Sequence, residues 1–181
     1  IILGLTLTNQ ALSKSIKLNL IKYNNDLKNT SAEFIQTDGK TIEEGIIYIG
    51  DERIRIDYES PKEITIILST KKSMYTNHQL RETQYFNTNK SFVGVFLKII
   101  NGDDFFSESN IKNHNDRIIV KYDFNIEDTL FQTEMIYENN PIELRKIKVR
   151  ENNANLEMGF FNHTNTNEIS KEFFSLINPY L

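Results

Sequence analysis

The residues of this chain best suited to chemistry near neutral pH are three histidines, His78, His114 and His163. Each lies in an Asn-rich, turn-like stretch, and no two of them share a metal-ligand spacing. No HExxH, GxSxG or phosphate-cradling glycine loop is present. Asp103-Asp104, after Gly102, could offer carboxylates to a cation, but a solvated turn accounts for the pair more simply than an octahedral cage. Glu43-Glu44 reads as the polar part of a strand. Cysteine is absent, so there is no thiolate nucleophile, no disulfide framework and no Cys-ligated metal. The expectation is a protein that is not an enzyme and uses no cofactor or metal.

With no chemistry to position, the elements must hold something else. The 181 residues suit one domain, large enough to bury roughly 70% of the surface its unfolded chain exposes. A net charge of −4 and scattered Lys and Arg argue against a nucleic-acid partner. Residues Ser31 to Pro61 read as three strands. Phe34 and Gln36 share one face of the first, Asp38-Gly39 turns, Thr41 to Ile49 returns, and Gly50-Asp51 turns again. Glu52 to Tyr58 then alternates strictly, with Ile54, Ile56 and Tyr58 on one face and Arg53, Arg55 and Asp57 on the other.

Further strands are predicted at Glu63–Ser69, Met74–Thr76, Leu80–Phe86, Asp104–Ser109, Arg117–Phe124, Leu130–Tyr137, Ile142–Arg150 and Asn155–Asn162. Their turns fall at Asn115-Asp116, Asn125, Asn139-Asn140-Pro141 and Asn152-Asn153. So many short strands at close spacing point to a barrel or a strongly curved sheet. Two stretches depart from that period. Ser15 to Lys28 has the spacing of an amphipathic helix laid on the sheet, and Ser91 to Ile100 is an apolar helix among strands. The second helix either plugs the open end of a β core or forms a lid over an apolar cavity. Phe173, Phe174, Leu176 and Ile177 are expected to dock as a closing segment.

The first residues, Ile1 to Leu7 followed by Ala11-Leu12-Ser13, read as the remnant of a secretory signal whose cleavage falls near Ser13. Residues 14–181 are then the mature domain, exported and without the Cys that lipid anchoring of an N-terminus requires.

The order of helix, Phe34-x-Gln36 strand, Asp38-Gly39-Lys40 turn, Glu44-Gly45 strand and Arg53 through Tyr58 with Pro61 resembles the LolA family of periplasmic lipoprotein carriers. The apolar helix falls where that family carries lid helices. The resemblance implies a mainly β fold with a few helices: a half-open antiparallel β-barrel closed by an N-terminal helix and a lid helix. It implies a monomeric chaperone of the periplasm that shields the acyl chains of lipoproteins. Such a carrier receives acylated lipoproteins from an ATP-driven complex of the inner membrane and passes them to an outer-membrane acceptor. The alternative is a periplasmic lipid-binding sensor or regulatory module of the same shape, without cargo transfer.

On the resemblance, the lipid-binding cavity is lined by Phe34, Ile46, Tyr48, Ile54, Ile56, Tyr58, Ile66, Leu68, Ile118, Val120 and Tyr122. The lid is Phe92, Val93, Phe96, Leu97 and Ile100. Many members of the family carry an Arg-Pro pair at the head of the third strand, where the Arg holds the lid shut. Gly50-Asp51 stands there in this chain, and alternation points Arg53 and Arg55 away from Ile54 and Ile56. The expectation is that both arginines are outward and solvated.

Overall fold

The computed structural model describes residues 15–181 apart from 92, 102, 153 and 167, and leaves out the side chains of 101, 103 and 104. The proposed signal remnant and Phe92 therefore lie outside the described residues. Residues 15–25 form α1. Six strands follow: β1 (Thr30–Thr37), β2 (Ile42–Ile49), β3 (Ile54–Ser60), β4 (Ile64–Leu68), β5 (Lys72–Asn77) and β6 (Glu82–Asn87). A helical stretch then holds α2 (Gly94–Asn101) and α3 (Asp103–Glu108). The chain returns to β7 (Asn110–Asn113), β8 (Arg117–Ile126), β9 (Thr129–Asn139), β10 (Ile142–Glu151) and β11 (Ala154–Asn165).

All eleven strands join one antiparallel sheet in the order β6-β5-β4-β3-β2-β1-β11-β10-β9-β8-β7. The sheet does not close on itself: β6 and β7 are its edges, and the first and last strands pair at its centre. This is the half-open architecture expected from the sequence. The topology has a consequence for the helices. Residues 88–109, which carry α2 and α3, connect one edge of the sheet directly to the other. Whatever covers the open side is therefore tethered at both sheet edges. Among the described residues no helix is long and apolar enough to cross a membrane.

Asparagine and a few other polar residues make the sharp corners. Asn29, Asn152 and Asn162 adopt positive φ, as do Arg81 and Glu127, a region that Asn tolerates better than most residues. At the first hairpin, Gly39 (φ +88°) follows Asp38, whose carboxylate accepts from the backbone N–H of Lys40 and Thr41. Those N–H donors hold the Asp38 carboxyl down at about 2.

Three expectations are corrected here. Asp104–Ser109 is helical rather than a strand. Phe105 and Phe106 are adjacent and both buried, which a strand facing core on one side cannot provide, whereas a helix lets neighbours share a broad face. The solvated turn read at Asp103-Asp104 is likewise part of this helix. The turn placed at Asn125 comes two residues later, at Glu127-Asp128, because β8 and β9 stay paired as far as Ile126 and Thr129.

The core lies on the concave face. Phe34, Ile54, Ile56, Leu68, Ile118, Val120, Met135, Tyr137 and Met158 are each at most 2% exposed and belong to one cluster with α1, α2 and α3. The outer face of β8–β11 is wet and paired by charge, with Glu134 between Lys121 and Lys148 and Lys146 against Glu157.

Candidate functional site

Alternation along each strand decides which of the expected cavity residues face inward. In β3, Ile54 and Ile56 are buried, and Tyr58 shares their face, its ring edge-on to Phe34 at 5.1 Å. Directly across the ladder, Leu68 opposes Ile54 and Ile66 opposes Ile56, so both point inward. On the other half of the sheet Ile118, Val120 and Tyr122 face the same space. Ile46 and Tyr48 do not. In β2 the buried positions are Gly45, Ile47 and Ile49, and Tyr48 turns outward to pack on Phe173 at 4.9 Å. Ile47 and Ile49 take the inward places that sequence reading gave to their neighbours. A register shift between Glu44 and Gly45 accompanies this. A side chain at Gly45 would put its Cβ 2.0 Å from the Asp57 carbonyl oxygen, so the close approach of β3 requires glycine here.

The concave space is occupied by the protein's own helices. Val93, Val95, Phe96, Leu97 and Ile99 are buried, Ile100 is half-buried and Lys98 is exposed. At 100° per residue those positions cover a little over half of the circumference of α2 and the residue that leads into it. The helix is amphipathic, with its apolar side inserted into the concave face and Gly94 and Lys98 on the other side, and Val95 and Ile99 join the expected lid set. Lys98 completes the exposed side by placing its ammonium 5.3 Å from the Phe124 ring.

A small void lies beneath α2. A cavity of about 30 Å³, room for a water or two, lies among Ala32, Ile47 and Phe160 of the sheet, Phe96 and Ile99 of α2, and Tyr23 and Leu27 beyond α1's first turns. This cavity has no room for an acyl chain while α2 is in place.

Three polar devices fix the helices around this space. The amide of Asn24, 3% exposed, donates to the Ile99 carbonyl of α2, and its own carbonyl oxygen has no hydrogen-bond partner. The Tyr23 hydroxyl accepts from the Leu144 N–H at 2.9 Å, beside the bulge in β10, and burial pushes this phenol up to about 12. At the β6 end a closed ring of hydrogen bonds runs from Ser69 N–H to Ser73 Oγ, from Ser73 Oγ to Thr88 Oγ1, and from Thr88 Oγ1 back to the Ser69 carbonyl. Ser73 and Thr88 are no more than 1% exposed. Gly94 packs on the same point, where a Cβ would sit 2.6 Å from the Thr88 carbonyl oxygen. The start of the helical stretch is thus pinned, and Lys90 bonds Glu127 of the β8–β9 turn across the opening.

His163 stands at the rim of the cavity, half-buried on β11. Its Nε2 lies 3.3 Å from a Glu143 carboxylate oxygen, an ion pair only when the ring is protonated. Burial lowers its pKa despite that carboxylate, so the ring is neutral near pH 7. Sequence reading placed it in a turn; the bulge opposite Ala32, with Asn162 at positive φ, turns it inward instead. Among the described residues no group of three or more His, Asp or Glu could hold a metal.

Arg53 and Arg55 face outward as expected, but they are not solvated. They hold the C-terminal segment, and the Phe174 ring lies over Gly50, where a Cβ would come within 2.8 Å. A ring of the tail therefore occupies the space over Gly50. The tie to the α2 backbone comes from Asn24.

No protein-family model matches this chain, and no curated protein matches it in sequence. Solved structures do. A conserved protein from Thermus thermophilus superposes with a TM-score of 0.56 at 7% identity, over 93% of this chain and 96% of that one. MucB, solved in complex with MucA(peri), gives a TM-score of 0.49 at 9% identity over 89% of this chain and 58% of that one. LprF from Mycobacterium bovis gives 0.40 at 10% identity, covering 88% and 98%. The likeness to the Thermus protein, end to end and at very low identity, is one of fold.

Proposed function

We propose that this protein is an exported, periplasmic carrier of acylated lipoproteins that takes their acyl chains into the space now filled by α2, moves them between inner and outer membranes, and is not an enzyme. The observation that carries the reading is the insertion of α2, joined to both edges of an open sheet, into the concave apolar face. A second sheet would make a permanent core. A tethered helix makes a replaceable one.

The magnitudes fit exchange. Burying the side chains of Val93, Val95, Phe96, Leu97 and Ile99 is worth about 1.5–3 kcal/mol each. A sixteen-carbon chain gains roughly 0.8 kcal/mol per buried methylene, about 11 kcal/mol in all. The two are of the same order, so the acyl chain competes with α2 without binding irreversibly. Its partners on this reading are an ATP-driven release complex in the inner membrane and an acceptor at the outer membrane.

The test is a fluorescent long-chain fatty acid titrated into the protein, followed by challenge with a triacylated lipopeptide and acceptor vesicles. A carrier binds the fatty acid with saturation, exchanges it for the lipopeptide and releases the lipopeptide to the vesicles. Binding without release would leave a lipid sensor, and no binding would remove both readings.

A further inference from the structure

The outer face of β2–β6 carries a groove that acyl-chain binding would not use. The ladder register sets Tyr48, Arg55, Ile67, Met74 and Tyr85 side by side across five strands. A wet face would be polar along such a row. Here Ile67 and Met74 are each 2% exposed, yet neither belongs to the concave core. The C-terminal tail crosses the same row. Arg55 donates to the Phe173 carbonyl at 3.0 Å, Arg53 to the Phe174 carbonyl at 2.7 Å, and the Tyr85 hydroxyl to the Leu176 carbonyl at 2.9 Å. The Phe173 ring lies 4.3 Å from the Arg55 guanidinium and also packs on Tyr48, while Phe174 fills the space above Gly50.

We propose that this groove is a binding site for a short turn of peptide with two adjacent aromatic residues, as in the 3-10 turn Lys171–Phe174, and that the tail is its occupant in cis, exchangeable for such a segment of a partner protein. Three features support exchange. The contacts from Arg53, Arg55 and Tyr85 all go to backbone carbonyls, which any peptide supplies; the two rings give the side-chain recognition at this end, and farther along Thr83 donates to Asn178 Oδ1 and His78 bonds the Tyr180 hydroxyl. The tail's own backbone bonds are local, from Phe173 N–H to the Ser170 carbonyl and from Ser175 N–H to the Glu172 carbonyl, and it adds no strand to the sheet. The groove is also held ready from beneath. Asp57 grips the Arg55 Nε through both carboxylate oxygens and is itself held by Thr65, so the guanidinium keeps its aim when a segment leaves.

The inference stands independently of acyl-chain binding and is tested on the full chain. A protease site placed just before Lys171 is cut after folding, and a labelled peptide of residues 168–181 is added while anisotropy is followed. The expected result is a folded cut protein that exchanges its tail for the labelled peptide with saturation. A peptide carrying Phe173→Ala and Phe174→Ala should bind at least about 10-fold more weakly, and Tyr85→Phe in the protein should cost about 2- to 10-fold through one lost hydrogen bond. Unfolding on cutting would make the tail a structural staple and overturn the proposal. So would a folded cut protein that ignores the labelled peptide, or one that binds the doubly substituted peptide equally well.

Discussion

On one face of β3, Ile54 and Ile56 lie under inserted helices; on the other, Arg53 and Arg55 grip the carbonyls of the tail. The inner cover is held by apolar area with few directed bonds, chiefly those of Asn24 and the Ser69–Ser73–Thr88 ring. The outer cover spans two buried apolar residues and is held by directed bonds to backbone. Apolar attraction is non-directional, so hydrocarbon of another kind can replace α2. Carbonyl-directed hydrogen bonds have no such substitute in a lipid. One strand thus presents two sites that differ in what can compete for them.

The largest expected effect tests the density of the inner face. Phe34→Ala, at a position 1% exposed, should cost about 3–5 kcal/mol in urea denaturation. Met74→Ala beneath the tail should cost about 2 kcal/mol, at the low end for its type, because the tail can settle into the gap. Equal losses would erase the distinction between packed core and covered groove.

Next comes the hinge. Thr88→Val keeps the shape but removes the hydroxyl that closes the ring, leaving Ser73 and the Ser69 carbonyl short of partners. A loss of about 1–3 kcal/mol is expected, measured the same way. An unchanged midpoint would mean that the start of the helical stretch is not anchored there.

Asn24→Ala removes the tie from α1 to the Ile99 carbonyl at about 1 kcal/mol. Since that tie exists only with α2 inserted, fatty-acid affinity should rise about fivefold. Affinity that falls or stays constant would show that the closed state owes nothing to Asn24.

The smallest effect is on pH. The folded value of His163 lies below its unfolded value, so the unfolded chain takes up the proton first as pH falls below about 6.5. Stability contributed by the neutral ring is present above that pH and lost below it. A melting series from pH 7.5 to 5.5 should fall more steeply for the native protein than for His163→Gln. Parallel curves would place the ring in water.

Much of the sheet was legible because one face is wet. Strict alternation in Ile54–Tyr58 and Ile118–Phe124 assigned their faces correctly, and Asn and Asp-Gly corners marked most turns. The site was less legible where that contrast fails. Ile46-Ile47-Tyr48-Ile49 is apolar on both faces because the tail covers the outer one, so periodicity could not choose between Ile46 and Ile47. Arg53 and Arg55 read as solvated for the same reason: their partners lie about 120 positions away, as carbonyls that carry no sequence signal. Phe105-Phe106 broke the strand period without supplying enough residues to declare a helix.

The central claim, that α2 must leave before an acyl chain can enter, is tested most directly by a disulfide between α2 and β3. The chain has no native cysteine to confuse the pairing, and the two positions should be chosen with Cα atoms about 4.4–6.8 Å apart. Uptake of a fluorescent fatty acid is then measured in oxidised and reduced protein of equal far-ultraviolet dichroism. The account predicts no uptake when oxidised and full uptake after reduction. Equal uptake in both states would contradict it and make α2 a permanent plug.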